Sequence, residues 1–224
     1  MIVIIGSPIA VASARVPGAG GLAAEIARHA AQAGTGVEVV GRVGEDAAGD
    51  AVLLSLAEAQ VGHVAILRES GRLTPSVPSP ELDAATPDGP DPGEAVVEVD
   101  GPLEAEPDHE TGLSMDAADL DLALRYLPDY RVVVVADDLD TAALATVVAA
   151  AAWAGAHLVL LVSSDRATDD LPPAATVLER PPRDPDGAFA RVVASYAVGL
   201  DQGREPRAAF SEASGGGGWA AVSN

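Results

Sequence analysis

The sequence predicts an α/β fold: a doubly wound, mostly parallel sheet with helices on both faces. Three observations carry that expectation. Short apolar runs of strand length alternate with longer helical segments along most of the chain. Hydrophobic residues make up 48% of the 224 positions, enough to bury one good core. The uncharged stretch 142–162 changes character halfway, from an alanine-rich segment to a Leu-Val-Leu-Leu-Val run, which is the helix-then-strand order of such a fold.

The apolar start, 1–14, offers an Ala12-Ser13-Ala14 sequence resembling a cleavage site. It has no basic residue ahead of the apolar run, and Gly6-Ser7-Pro8 interrupts it, so a buried first strand at Ile2–Ile5 is expected instead of a leader. A helix at 21–33, a strand at 37–40, a helix at 47–59 and a strand at 64–67 follow. A further strand is expected at 95–99. The next helix, 116–126, has Ser114 as its expected cap and Asp116 and Asp119 in its first turn, where carboxylates favour the helix dipole. A strand at 131–135 precedes a helix at 141–154, which Thr141 can cap. The stretch 142–162 is long enough to cross a bilayer, but Gly155 breaks it and His157 opens a β-type run, so the strand 158–162 is expected there. Helices at 187–200 and 205–213 close the chain.

These elements fit a single domain over 1–213. Residues 73–93 hold six prolines, several acids and almost no large apolar group, so they are expected to form a mobile acidic loop. The glycine-rich tail 214–224 is expected to be flexible.

Composition excludes several chemistries. Cysteine is absent, which removes disulfides, thiolate metal sites and a cysteine nucleophile, and nothing demands an oxidising compartment. The expected location is the cytoplasm. Lysine is absent too, since all thirteen basic residues are arginine, so neither a phosphate-loop lysine nor a Schiff-base lysine is available. A net charge of -21 opposes nucleic acid and anionic membranes as partners. A lysine-free, acid-rich surface is also what a high-salt cytosol favours.

Gly20-Gly21 open the first helix. Further on, Gly41-Arg42-Val43-Gly44-Glu45-Asp46-Ala47-Ala48-Gly49 joins a strand to a helix that runs from about Leu53 to Val61. This layout resembles the amino-terminal third of the ribokinase-like (PfkB-type) carbohydrate kinase family. The resemblance implies an ATP- and magnesium-dependent transfer of phosphate to a sugar or nucleoside hydroxyl. It implies ligand contacts at Gly20, Gly21, Gly41 and Glu25, which stands where the family has an asparagine, and at Thr74, the counterpart of a sugar-covering strand. It also implies a lid, here reduced or absent because only a dozen residues separate Gly6 from Gly20.

Near the carboxyl end the family opens a helix with Gly-Ala-Gly-Asp. Amides there neutralise the phosphoryl group and the aspartate takes the hydroxyl proton. The corresponding stretch is Asp184-Pro185-Asp186-Gly187-Ala188-Phe189, with Gly187 where the aspartate belongs and Asp186 one residue early. Asp186 is thus the candidate base, and Gly187 and Ala188 the candidate anion hole. The bland reading is that Asp184 and Asp186 cap the helix. The family aspartate after the first strand falls at Val11. No Asn-x-x-Glu motif is present; Val177-Leu178-Glu179-Arg180 comes nearest, and the stretch from Asp165 to Arg183 leaves no room for the strands that hold a nucleotide base.

Other motifs are weaker. Gly18-Ala19-Gly20-Gly21-Leu22-Ala23, with Glu38 as a ribose acid, satisfies a dinucleotide pattern but lies a dozen residues beyond its strand. Gly112-Leu113-Ser114-Met115-Asp116 resembles a nucleophile elbow without its second glycine. His29, His63, His109 and His157 lack metal spacing, and no metal site is expected. The leading expectation is a divergent PfkB-type protein that binds a small molecule or protein partner with weak or no phosphoryl transfer and no certain cofactor. One alternative is an active kinase using ATP, magnesium and Asp186. Another is a structural subunit forming a homodimer through a lid-less sheet face.

Thirty-four acids repel one another at low ionic strength, and molar salt shortens that repulsion to about 3 Å. The melting temperature should therefore rise between low and molar salt. A flat or falling curve contradicts the expectation.

Overall fold

Strand β1, Ile2–Ile5, is completely buried, and its side chains divide between two cores. Ile2 and Ile4 point into one, Val3 and Ile5 into the other. Alternate side chains of a strand point to opposite faces, so an all-apolar strand stays out of water only if both faces are covered. The computed structural model, which describes residues 1–12, 18–78, 113–164, 166, 171–184 and 186–215, meets that demand with a six-stranded sheet. Its order is β5-β4-β1-β7-β8-β9, with every pairing parallel. Here β4 is Val37–Gly44, β5 Gly62–Glu69, β7 Val132–Val135, β8 His157–Val162 and β9 Thr176–Glu179.

One face is covered by α1 (Gly21–Gln32), α2 (Ala47–Glu58), α5 (Ala188–Asp201) and α6 (Pro206–Gly215). The other is covered by α3 (Ala117–Tyr126) and α4 (Thr141–Ala154). The chain leaves β1 toward β4 and β5, then returns to build β7, β8 and β9 on its other side. The carboxyl end of β1 is thus the switch point, where open sheets of this kind leave a crevice.

The expected strands and helices inside the described residues all form, most within one or two residues of the expected ends; β4 runs four residues further, to Gly44. Two caps differ. Asp116 caps α3 by accepting the Asp119 amide, and Asp140 caps α4 by accepting the Ala143 amide at 2.7 Å, so Ser114 and Thr141 are not the capping residues. In each case the carboxylate is the residue just before the first helical turn and takes its free donor. Strand β9 lies in the stretch 165–183, which was expected to leave no room for the strands that hold a nucleotide base. The expected strand 95–99, most of the proline-rich loop and the tail beyond 215 lie outside the described residues. No helix among the described residues is long and apolar enough to cross a membrane.

A second, three-stranded sheet, β3-β2-β6, lies over the crevice side of α1 and α2. It consists of β2 (Ile9–Ala12), β3 (Gly18–Gly20) and β6 (Ser76–Pro78). The lid is therefore reduced and still present, which corrects the lid-less alternative. Asp46 anchors it. Its Oδ1 caps α2 at the Gly49 amide (2.7 Å) and accepts the Thr74 hydroxyl (2.7 Å), while its Oδ2 accepts the Thr74 amide (2.9 Å). Thr74 Oγ1 in turn accepts the Gly44 amide at 2.9 Å. The Thr74 hydroxyl is the leading cause that holds the Asp46 carboxyl below its usual range.

Thr74→Val removes the hydroxyl and leaves the buried Gly44 amide unpaired, a loss of about 1–3 kcal/mol. Urea denaturation should show it; a change under about 0.5 kcal/mol, the scale of an ordinary surface substitution, contradicts the anchoring role.

Candidate functional site

At the carboxyl end of the sheet a cleft of about 470 Å³ opens between the starts of α1 and α5. Gly21, Leu22 and Glu25 form one wall, Ser163 and Ser164 extend from β8, and Arg180, Pro181, Pro182, Arg183 and Asp184 descend from β9. Phe189 closes the floor.

The amino end of α5 decides what this cleft can do. A helix start presents amides without intrahelical partners and a partial positive charge. Here three of those donors are taken by the chain itself. Asp184 Oδ1 accepts the Phe189 amide and Oδ2 accepts the Ala190 amide, each at 3.1 Å. The Asp184 carbonyl also accepts the Gly187 amide at 3.1 Å, folding 184–187 into a tight turn. Gly187, at φ 60°, occupies the left-handed region this turn requires, which suits glycine far better than aspartate. A side-chain carbon at Gly187 would lie 3.7 Å from Arg191 Nη1, 3.7 Å from Glu25 Oε2 and 4.0 Å from His29 Nε2. Asp186 is exposed, and its backbone carbonyl accepts from Arg191 Nη1 at 2.7 Å.

Of the sequence-predicted residues, Gly21 and Glu25 line this cleft, whereas Gly20, Gly187 and Ala188 lie outside its lining, with Gly187 beside Glu25 where α1 and α5 pack together. Gly20 and Gly21 also have a packing reason. A side chain at Gly20 would strike Val11, and one at Gly21 would meet Ile9 at 3.3 Å, so the pair lets β2 lie across the start of α1.

Two sequence-predicted ligands serve the fold instead. Gly41 passes beneath the first turn, where an added Cβ would come within 2.5 Å of the Gly6 carbonyl oxygen, and Thr74 is engaged by Asp46 and Gly44. Glu38 sits near the amino-terminal start of β4, the opposite end of the sheet from the cleft, where burial is the main cause that raises its pKa; it cannot act as a ribose acid there. Asp184 is a helix cap, as the bland reading has it, but Asp186 is not.

Sequence reasoning missed Asp137 and gave Arg180 no role. Asp137 follows β7, and its Oδ2 accepts the Ser7 amide at 2.7 Å across the switch point. Burial pushes its carboxyl above the usual range against the opposing effects of that amide and Arg180. Arg180 spans the strand ends: Nη1 donates to the Ala136 carbonyl at 3.0 Å and Nη2 meets Asp138 at 2.5 Å. Arg166 adds a second bond to Asp138 at 3.2 Å. The only available signal was position, since Arg180 directly follows β9 and Asp137 stands two residues beyond β7.

Over nearly its whole length the chain superposes on solved structures of sugar and nucleoside kinases. Aminoimidazole riboside kinase from Salmonella enterica matches at a TM-score of 0.59 and 14% identity, over 95% of this chain and 88% of that one. Fructokinase from Halothermothrix orenii matches at 0.56 and 17% identity, over 100% and 99%. The fold is ribokinase-like. Ribokinase from Arabidopsis thaliana, solved with ribose and ATP, matches at 0.56 and 16% identity, over 95% of this chain and 89% of that one. No family model matches the sequence, and no curated protein matches it. At these identities the ribokinase-like likeness speaks for the fold alone.

Asp184→Ala should lose about 1–2 kcal/mol of stability by freeing the α5 donors. Asp186→Asn should stay within about 0.5 kcal/mol of the parent. Chemical denaturation of both variants checks this, and equal losses would contradict the assigned cap.

Proposed function

We propose that this is a divergent PfkB-type protein that binds a small hydroxylated ligand in the α1–α5 cleft and performs little or no phosphoryl transfer. One observation carries the reading: Asp184 takes the Gly187 amide with its carbonyl and the Phe189 and Ala190 amides with its carboxylate, which leaves Ala188 alone of the candidate anion-hole amides without a partner among the described residues. An anion approaching these amides meets a resident anion. The residues present therefore do not fit ATP and magnesium in the arrangement the resemblance implies, and no step is derived through them.

Asp186 supports no competing reading. It is exposed and lies outside the cleft lining, whereas a general base must come within hydrogen-bond reach of the proton it takes. What remains in the cleft suits hydroxyl groups: Glu25 as an acceptor, Ser163 and Ser164 as donors and acceptors, and Phe189 as an apolar floor. A volume of about 470 Å³ lies within the range typical of small-molecule sites.

A thermal-shift panel of sugars and nucleosides tests this directly, with ADP release measured in parallel. A stabilising ligand whose effect is lost in Glu25→Ala, with no ADP formed and ATP binding weaker than about 10 μM, or about -7 kcal/mol, is expected. A panel member that is phosphorylated by the parent and not by Asp186→Asn, with melting temperature unchanged, would overturn the reading.

A further inference from the structure

A second cavity, of about 410 Å³, lies on the outer side of α5, where that helix packs between α1 and α6. It shares no lining residue with the cleft described above. Its floor is apolar, formed by Val192, Val198 and Ala213. Its rim carries two guanidinium groups, Arg191 beside His29 and Arg204 paired with Glu212.

The two guanidinium groups are held by their own turns. Arg191 Nη1 donates to the Asp186 carbonyl at 2.7 Å and the group forms no ion pair among the described residues, so its other N–H donors remain available. Arg204 follows Gly203, whose φ of 80° closes α5. The Arg204 amide donates back to the Gly199 carbonyl at 3.0 Å, and its guanidinium pairs with Glu212. Gly199 lets α6 approach, since an added Cβ there would lie 3.0 Å from Ala209 Cβ and 3.7 Å from Arg204 Cδ. Ser195, one helical turn beyond Arg191 on the same face, adds a hydroxyl to the lining.

From this arrangement we infer that the α1–α5–α6 groove binds a small organic oxyanion, its carboxylate or phosphate head on Arg191 and Ser195 beside His29, and its apolar body on Val192, Val198 and Ala213. A guanidinium with free donors matches the geometry of either head group, and the apolar floor gives a compact body a surface to cover. The inference concerns a different cavity from the proposed ligand cleft, and either can fail without the other.

His29 reports on the groove. Burial first, then Arg191 and Arg28, push its imidazole below the usual histidine range, against the opposing effects of a Gln32 hydrogen bond and Glu25. Arg204 and Glu212 face it from across the cavity. An anion seated on Arg191 offsets the guanidinium field, so the imidazole takes up a proton more readily and its pKa rises. By linkage, binding then tightens as the pH falls.

The test follows the His29 resonances of the full chain by NMR, assigned with His29→Gln, while benzoate, phenyl phosphate or the neutral control benzyl alcohol is added at constant ionic strength. At least one of the two anions should shift His29 saturably and raise its pKa, and the stronger of them identifies the head group. Benzyl alcohol should do neither. Arg191→Gln should raise the His29 pKa of the free protein, by removing a neighbouring cation, and weaken anion binding at least tenfold. The inference is overturned if neither anion gives a saturable shift, if benzyl alcohol matches them, or if Arg191→Gln binds as tightly as the parent.

Discussion

Everything in this molecule is arranged around a strand that cannot face water on either side. Burying the Ile2, Val3, Ile4 and Ile5 side chains stabilises the fold by roughly 1.5–3 kcal/mol each, and that gain is realised only with helices over both faces of the sheet. Once both faces are covered, the space left for ligands is at the strand ends. The chain reverses direction beside β1, so the opening falls at the carboxyl end, where Ser7, Asp137 and the starts of α1 and α5 meet. The position of the cleft is therefore a consequence of the core, whereas its chemistry depends on a few residues at the start of α5.

Those few residues cap a helix. A helix start that could receive a phosphoryl group instead receives Asp184 from its own approach loop. The turn that makes this geometry puts residue 187 in the left-handed region, where glycine is favoured, so the Asp184 cap and the glycine at 187 belong to one backbone conformation. The same economy applies to the scarce cations. Arg42 joins Glu69, Asp116 and Asp119, and Arg180 and Arg166 hold Asp138, so these arginines tie segments of an acidic chain together.

How much of this was legible in the sequence depended on the length and contrast of each pattern. Ile2–Ile5, Val132–Val135 and the helix–strand change near Gly155 were plain because long apolar or alanine-rich runs leave little choice of period. Strands β3 and β6 have three residues each, drawn from Gly, Ala, Ser, Val and Pro, and exist because Asp46 and Thr74 position the chain, so no local periodicity could reveal them. Strand β9 alternates between half-buried and exposed at the sheet edge and reads as loop. At the cleft, Gly21 and Glu25 were expected because the resemblance pairs the two helix starts, and both stand in its lining. Gly41 and Thr74, which the resemblance also implies as ligand contacts, serve backbone packing, a distinction visible only once Gly6 and Asp46 are seen against them.

The occupancy of the α5 donors can be measured where it occurs. In ¹H–¹⁵N spectra the Phe189 and Ala190 amide resonances should stay unmoved when ATP and magnesium are added to the parent, and should move in Asp184→Gly, where the resident carboxylate is gone. A saturable shift of both amides in the parent would show that the donors are free to receive phosphate, and would contradict the central claim.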